Sequence, residues 1–168
     1  MTNASDILYW NDFKPGDTHQ LGNYYLSQEE LIEFARRYDP QPFHIDPGKA
    51  IDSPIGCLCA SGIQTFAILQ RLTVDQLYCR TAVVAGMGVD KLRFLKPVLP
   101  DQTLSARITV LKCMTDVKNR DRGIMQYRAE VLDQEGAKVA SLEATVMLNK
   151  HPCDSEETLS EHCTDTLT

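Results

Sequence analysis

Residues 60–79 read ASGIQTFAILQRLTVDQLYC. Ile63, Phe66, Ala67, Ile68, Leu69, Leu72, Val74 and Leu77 cover much of a helical circumference. That pattern predicts one long, largely buried helix from Ala60 to about Cys79. The run opens on three small residues, Ala60, Ser61 and Gly62, which let another group approach the helix start closely. From Thr81 onward the period changes to two. Val83 to Leu95 reads as one strand or a bent pair, loosened by Gly86 and Gly88. Leu104, Ala106, Ile108 and Val110 then alternate with polar residues, as do Met125, Tyr127, Ala129 and Val131. Ala140, Leu142, Ala144, Val146 and Leu148 form a last inward row. With turns at 119–123 and 133–136, these three strands read as an antiparallel meander.

Upstream of the helix, residues 1–16 form a polar lead anchored by Trp10 and Phe13, and Pro15-Gly16-Asp17 is a turn. His19 to Leu26 reads as a short strand. Ser27 stands three residues before Glu30, a capping box, and Leu31, Ile32, Phe34 and Ala35 give the helix that follows its apolar stripe. Pro40 stops that helix, because the residue before a proline resists the α region. Pro47 to Ile51 looks like one further helical turn, with Asp46 as its cap. Helices ahead of a meander define an α+β domain with its sheet wrapped on the long helix. One helix covers one sheet face, so the other face or the sheet edge is expected to meet a second copy, giving a homodimer that can pair further.

The chain has 168 residues, the length of one domain, expected over 1–150. Its net charge of −6 is unevenly placed. Residues 151–168 carry Asp154, Glu156, Glu157, Glu161 and Asp165 with no Lys or Arg, so the body is close to neutral. That acidic stretch has no aromatics and no period, and is expected to be a disordered tail. A near-neutral body excludes general nucleic-acid binding. The six cysteines form no CxxC pair, which leaves no metal site and fits free thiols in a reducing compartment. No secretory pattern and no membrane-length apolar run appears, so the expected location is the cytoplasm, away from membranes.

Tyr38-Asp39-Pro40-Gln41-Pro42-Phe43-His44-Ile45-Asp46 packs two prolines, two carboxylates and a histidine into nine residues. An acid five positions before a histidine recurs by chance in a chain this acidic. The two prolines set this pair apart, because each fixes its φ and so stiffens the frame that an acid/base pair needs. Gln41 is expected to tie the loop by hydrogen bonds, and Phe43 to line a pocket or pack in the core. Ser61 and Gly62 offer an unpaired helix N-terminal N–H, suited either to an oxyanion or to close packing. Lys91, Arg93 and Lys96 form a basic row that serves either as a solvated strand face or as phosphate contacts.

Three ordered segments, YDPQPFHID, SPIGCLCASGIQT and GMGVDKLRFLKPVLPDQTL, resemble the MaoC-like dehydratases, relatives of the R-specific enoyl-CoA hydratases, over roughly residues 10–148. The resemblance implies a dimeric hot-dog fold. It aligns Asp39 and His44 with the catalytic dyad of an Asp-x-Asn-Pro-x-His motif, and Gly62 with the glycine whose N–H polarises the thioester carbonyl. Two positions depart from the hydratase pattern: Gln41 replaces Asn, and Ser61 stands where many members have His. The implied reaction is reversible hydration of a trans-2-enoyl thioester to a 3-hydroxyacyl thioester. It needs no metal or redox cofactor, and the acyl group rides on CoA or an acyl carrier protein. Two other activities fit the same outline, a hot-dog acyl-CoA thioesterase and a non-catalytic acyl-CoA binding or regulatory domain.

Overall fold

The computed structural model describes residues 7–152. The acidic tail beyond Pro152, with Cys153 and Cys163, lies outside the described residues. Five strands make one antiparallel sheet: β1 (Thr18–Leu26), β2 (Val83–Phe94), β3 (Gln102–Thr115), β4 (Arg122–Leu132) and β5 (Lys138–Asn149). Their order is β1-β3-β4-β5-β2. Four helices lie between β1 and β2: α1 (Gln28–Tyr38), α2 (Pro42–Ile45), α3 (Pro47–Ile51) and α4 (Gly62–Gln76).

The inward rows of β3, β4 and β5 are buried as the alternation predicts, and they share one core with Ile68, Leu69 and Leu72 of α4. Each of those three side chains contributes about 2 kcal/mol on leaving water. Gly22 takes φ +75 at the register shift between Gln20 and Asn23, a left-handed position that glycine fills without steric cost. The result is the expected α+β domain, a sheet packed on a central helix.

Several local expectations are corrected. The long helix starts at Gly62, not Ala60, because Ser61 is its N-cap and accepts the Ile63 N–H at 3.3 Å. It ends at Gln76, and a 3₁₀ turn follows over Tyr78–Arg80. It is buried on one face only, since Ile63, Ala67 and Val74 stay exposed in the single chain. The capping box of α1 is half formed. Ser27 Oγ accepts the Glu30 N–H, while Glu30 Oε1 takes the Tyr24 hydroxyl at 2.5 Å. That bond pushes the Tyr24 pKa up to about 12. Of the two readings of Val83–Leu95 the single strand holds, ending at Phe94, with three register shifts against β5.

The two sides of the sheet differ. On the side away from α4, Glu130 is paired by Arg107 and Lys138, and Glu143 by Lys91 and Arg128. The β2 edge is apolar instead, with Val84, Met87, Val89 and Phe94 exposed along it. Among the described residues, no helix is long and apolar enough to cross a membrane.

Candidate active site

The Asp39–His44 loop is built by its prolines. Asp39 closes α1 by donating its N–H to Ala35 O at 2.8 Å, and Pro40 denies the helix a further turn. Pro42 then occupies the first turn of α2, where a missing N–H costs nothing. His44 therefore sits in a one-turn helix, and it is 6% exposed. Asp46 caps α3 as expected, accepting the N–H groups of Gly48 and Lys49.

The imidazole is oriented from behind. Its Nδ1 lies 2.7 Å from the carbonyl of Cys59. A carbonyl only accepts, so Nδ1 carries the proton in the neutral ring and Nε2 keeps its lone pair. Nε2 faces Asp39 Oδ2 at 3.5 Å. That is too long for a direct hydrogen bond, and both atoms are acceptors. One water donating a hydrogen to each would satisfy both. The Cys59 thiol lies 3.7 Å from Nδ1, and burial pushes its pKa up to about 11, which keeps it protonated and unreactive.

Asp39 is clamped on both oxygens. Ser61 Oγ donates to Oδ2 at 2.6 Å and Gln41 Nε2 donates to Oδ1 at 2.9 Å. The Ser61 bond, then the Gln41 bond, hold the carboxyl below its usual range. Ser61 thus contacts the candidate site carboxylate as well as capping α4. Gly62, the first residue of α4, has an N–H that takes part in no hydrogen bond among the described residues.

His44 and Gly62 line one cavity of about 290 Å³, with Phe43, Phe94 and Val98 as apolar wall and Lys96 at its edge. Asp39 flanks that cavity beyond His44, its side chain one-quarter exposed. The basic row is divided. Lys96 pairs with Asp133 at 2.9 Å, and Lys91 with Glu143 at 2.8 Å. Lys91 and Arg93 line a second, polar cavity of about 310 Å³ with Arg128 and Glu143. Phe94 and the Cys59 carbonyl are site features that sequence spacing does not reveal, because each reaches the site from another part of the chain.

An antiparallel sheet wrapped on one central helix is the hot-dog architecture, and here an Asp/His pair stands beside the start of that helix. A family model described as "MaoC like domain" matches residues 13–132, and the chain belongs to that family. It is similar to YdeM of Bacillus subtilis (strain 168), an uncharacterized protein, with 29% identity over 140 residues, covering 83% of this chain and 98% of YdeM. It is also similar to 3-hydroxyacyl-thioester dehydratase Z of Mycobacterium tuberculosis (strain ATCC 25618 / H37Rv), with 32% identity over 104 residues, 60% of this chain and 66% of that protein. Among solved structures, the MaoC-like dehydratase from Rhodospirillum rubrum superposes with a TM-score of 0.80 and 31% identity, covering 86% of this chain and 99% of that one.

Proposed function

We propose that this protein is a hydro-lyase that reversibly adds water to a trans-2-enoyl thioester, giving a 3-hydroxyacyl thioester. The proposal rests on one observation. An Nδ1-protonated imidazole turns its free Nε2 toward a carboxylate 3.5 Å away, beside the unpaired N–H of Gly62 in a largely apolar cavity. The similarity to a protein named as a 3-hydroxyacyl-thioester dehydratase supports the substrate class.

Two acceptors side by side call for a donor with two hydrogens, which is water. Asp39 stays an anion because Ser61 and Gln41 donate to it, and this makes it a weak base. His44 Nε2 is then the better proton acceptor, since imidazole is the side chain suited to carry a proton near neutral pH. As the water oxygen bonds the β-carbon, its O–H breaks and the proton moves to Nε2. Asp39 orients the water and stabilises the imidazolium. The thioester oxygen gains negative charge and takes the Gly62 N–H, with the helix dipole behind it. The imidazolium returns the proton to the α-carbon, so one water is consumed and nothing is oxidised or reduced. No metal or redox cofactor takes part.

The acyl group arrives on CoA or an acyl carrier protein. Lys91, Arg93 and Lys96 are assigned to the carrier's phosphates, with Gln41, Phe43 and Ser61 completing the substrate site. The working unit is a homodimer paired through β2. The test is hydration of purified protein with crotonyl-CoA, followed as loss of enoyl-thioester absorbance and formation of the 3-hydroxyacyl product. Steady release of free thiol without hydration would instead establish a thioesterase. Binding without turnover of any enoyl thioester would establish an acyl-CoA binding module.

A further inference from the structure

Gly62 leaves room that another residue fills. A Cβ built on Gly62 would lie 2.5 Å from Phe94 Cε2, 2.7 Å from Cζ and 2.8 Å from Cδ2. The edge of the Phe94 ring therefore rests directly on the first residue of α4. Phe94 is the last residue of β2 and pairs with Ala140 of β5. It is 51% exposed, on the outermost strand of the sheet, yet the same side chain lines the cavity with His44 and Gly62. A half-exposed aromatic is ordinarily a surface residue. This one is turned onto a helix start that carries a free N–H.

We propose that Phe94 sets the size limit of the acyl group. The inference rests on the thioester reading of the cavity. A thioester carbonyl held at the Gly62 N–H would have the Phe94 ring as its immediate neighbour, so the chain leaving that carbonyl must run along the ring. The cavity of about 290 Å³ holds about ten water-sized atoms. After the three atoms of the thioester group, that leaves space for about seven carbons, the length of an unbranched octenoyl chain. Phe43 stacks edge-on against His44 with centroids 4.4 Å apart, so it is committed to the imidazole and is not free to yield. Phe94, at the end of an edge strand, is the wall that substitution can remove. The substrate class is accordingly straight-chain enoyl thioesters of up to about eight carbons.

The experiment compares wild type, Phe94→Leu and Phe94→Ala against crotonyl-, octenoyl- and dodecenoyl-CoA. Phe94→Ala is expected to raise the dodecenoyl-to-octenoyl ratio of kcat/KM at least about tenfold, since a few methylenes admitted to an apolar pocket are each worth that order. Phe94→Leu should fall between. An unchanged ratio, or an equal loss at every length, overturns the proposal. Calorimetric binding of butyryl-, octanoyl- and dodecanoyl-CoA to the same three proteins separates the two levels of inference. If wild type binds but hydrates nothing, the hydratase reading fails. The size limit then stands or falls on whether Phe94→Ala shifts the binding preference toward longer chains.

Discussion

Ser61 Oγ donates to Asp39 Oδ2 at 2.6 Å, joining two residues 22 positions apart. The same serine caps α4, so one side chain ties the proposed catalytic carboxylate to the helix that presents Gly62. Ser61→Ala removes the strongest influence holding the Asp39 carboxyl below its usual range. The pKa of Asp39 then rises, the carboxylate is protonated at higher pH, and the acid limb of the pH–rate profile moves up. The lost cap costs about 1 kcal/mol of stability. An acid limb that stays in place would mean that Ser61 acts only on the helix.

Asp39→Asn keeps the shape of the clamp but abolishes the permanent anion, and His44→Gln abolishes the proton carrier. Each is expected to lower hydratase turnover about 10²-fold or more, the range for acid/base groups. Circular dichroism should be unchanged in Asp39→Asn, because that side chain is already partly exposed. Near-normal rates in either variant would remove the mechanism.

The legible parts of this chain are the ones set by local periodicity. The inward rows of β3, β4 and β5 are buried because alternating apolar residues have only one sheet face to occupy. Pro40 and Pro42 likewise define the His44 frame from chain-local rules. Apolar residues around much of α4 read as a largely buried helix, yet Ile63 and Val74 are exposed in the single chain, because spacing along a helix does not say which neighbours each apolar face meets. The basic row is legible only in part. Lys91 and Lys96 look like free cations along the chain, while Glu143 on β5 and Asp133 in the β4–β5 turn partner them across space. Ser61 on Asp39 and Phe94 on Gly62 are tertiary contacts with no spacing to announce them.

Gly62 and Phe94 form a pair that a double-mutant cycle can isolate. Gly62→Ala drives a Cβ into the Phe94 ring, an overpacking that costs about 1–3 kcal/mol. In a Phe94→Ala background that space is open, so the cost of Gly62→Ala should largely vanish. Urea denaturation of the four proteins measures the coupling, which is expected at about 1 kcal/mol or more for residues in contact. Additive effects would show that the ring moves aside without cost, and that glycine is needed at this position for another reason.

β2 is a twelve-residue edge strand exposed along almost its whole length. A long apolar edge of this kind invites pairing with another strand, and monomeric proteins usually blunt it. Val84, Met87 and Val89 are exposed on it, and Ile63 and Val74 of α4 are exposed as well. A second copy of β2 would satisfy the free backbone groups and cover this apolar surface in one isologous contact. Wild type is therefore expected to sediment as a dimer, and Met87→Lys, which adds a charge to the edge, as an 18.9 kDa monomer. Activity should fall with the dimer, because the strand that pairs is the one ending in Phe94 at the cavity wall. A wild-type protein that stays monomeric at assay concentration, yet turns over substrate, would show that the single chain holds a complete site.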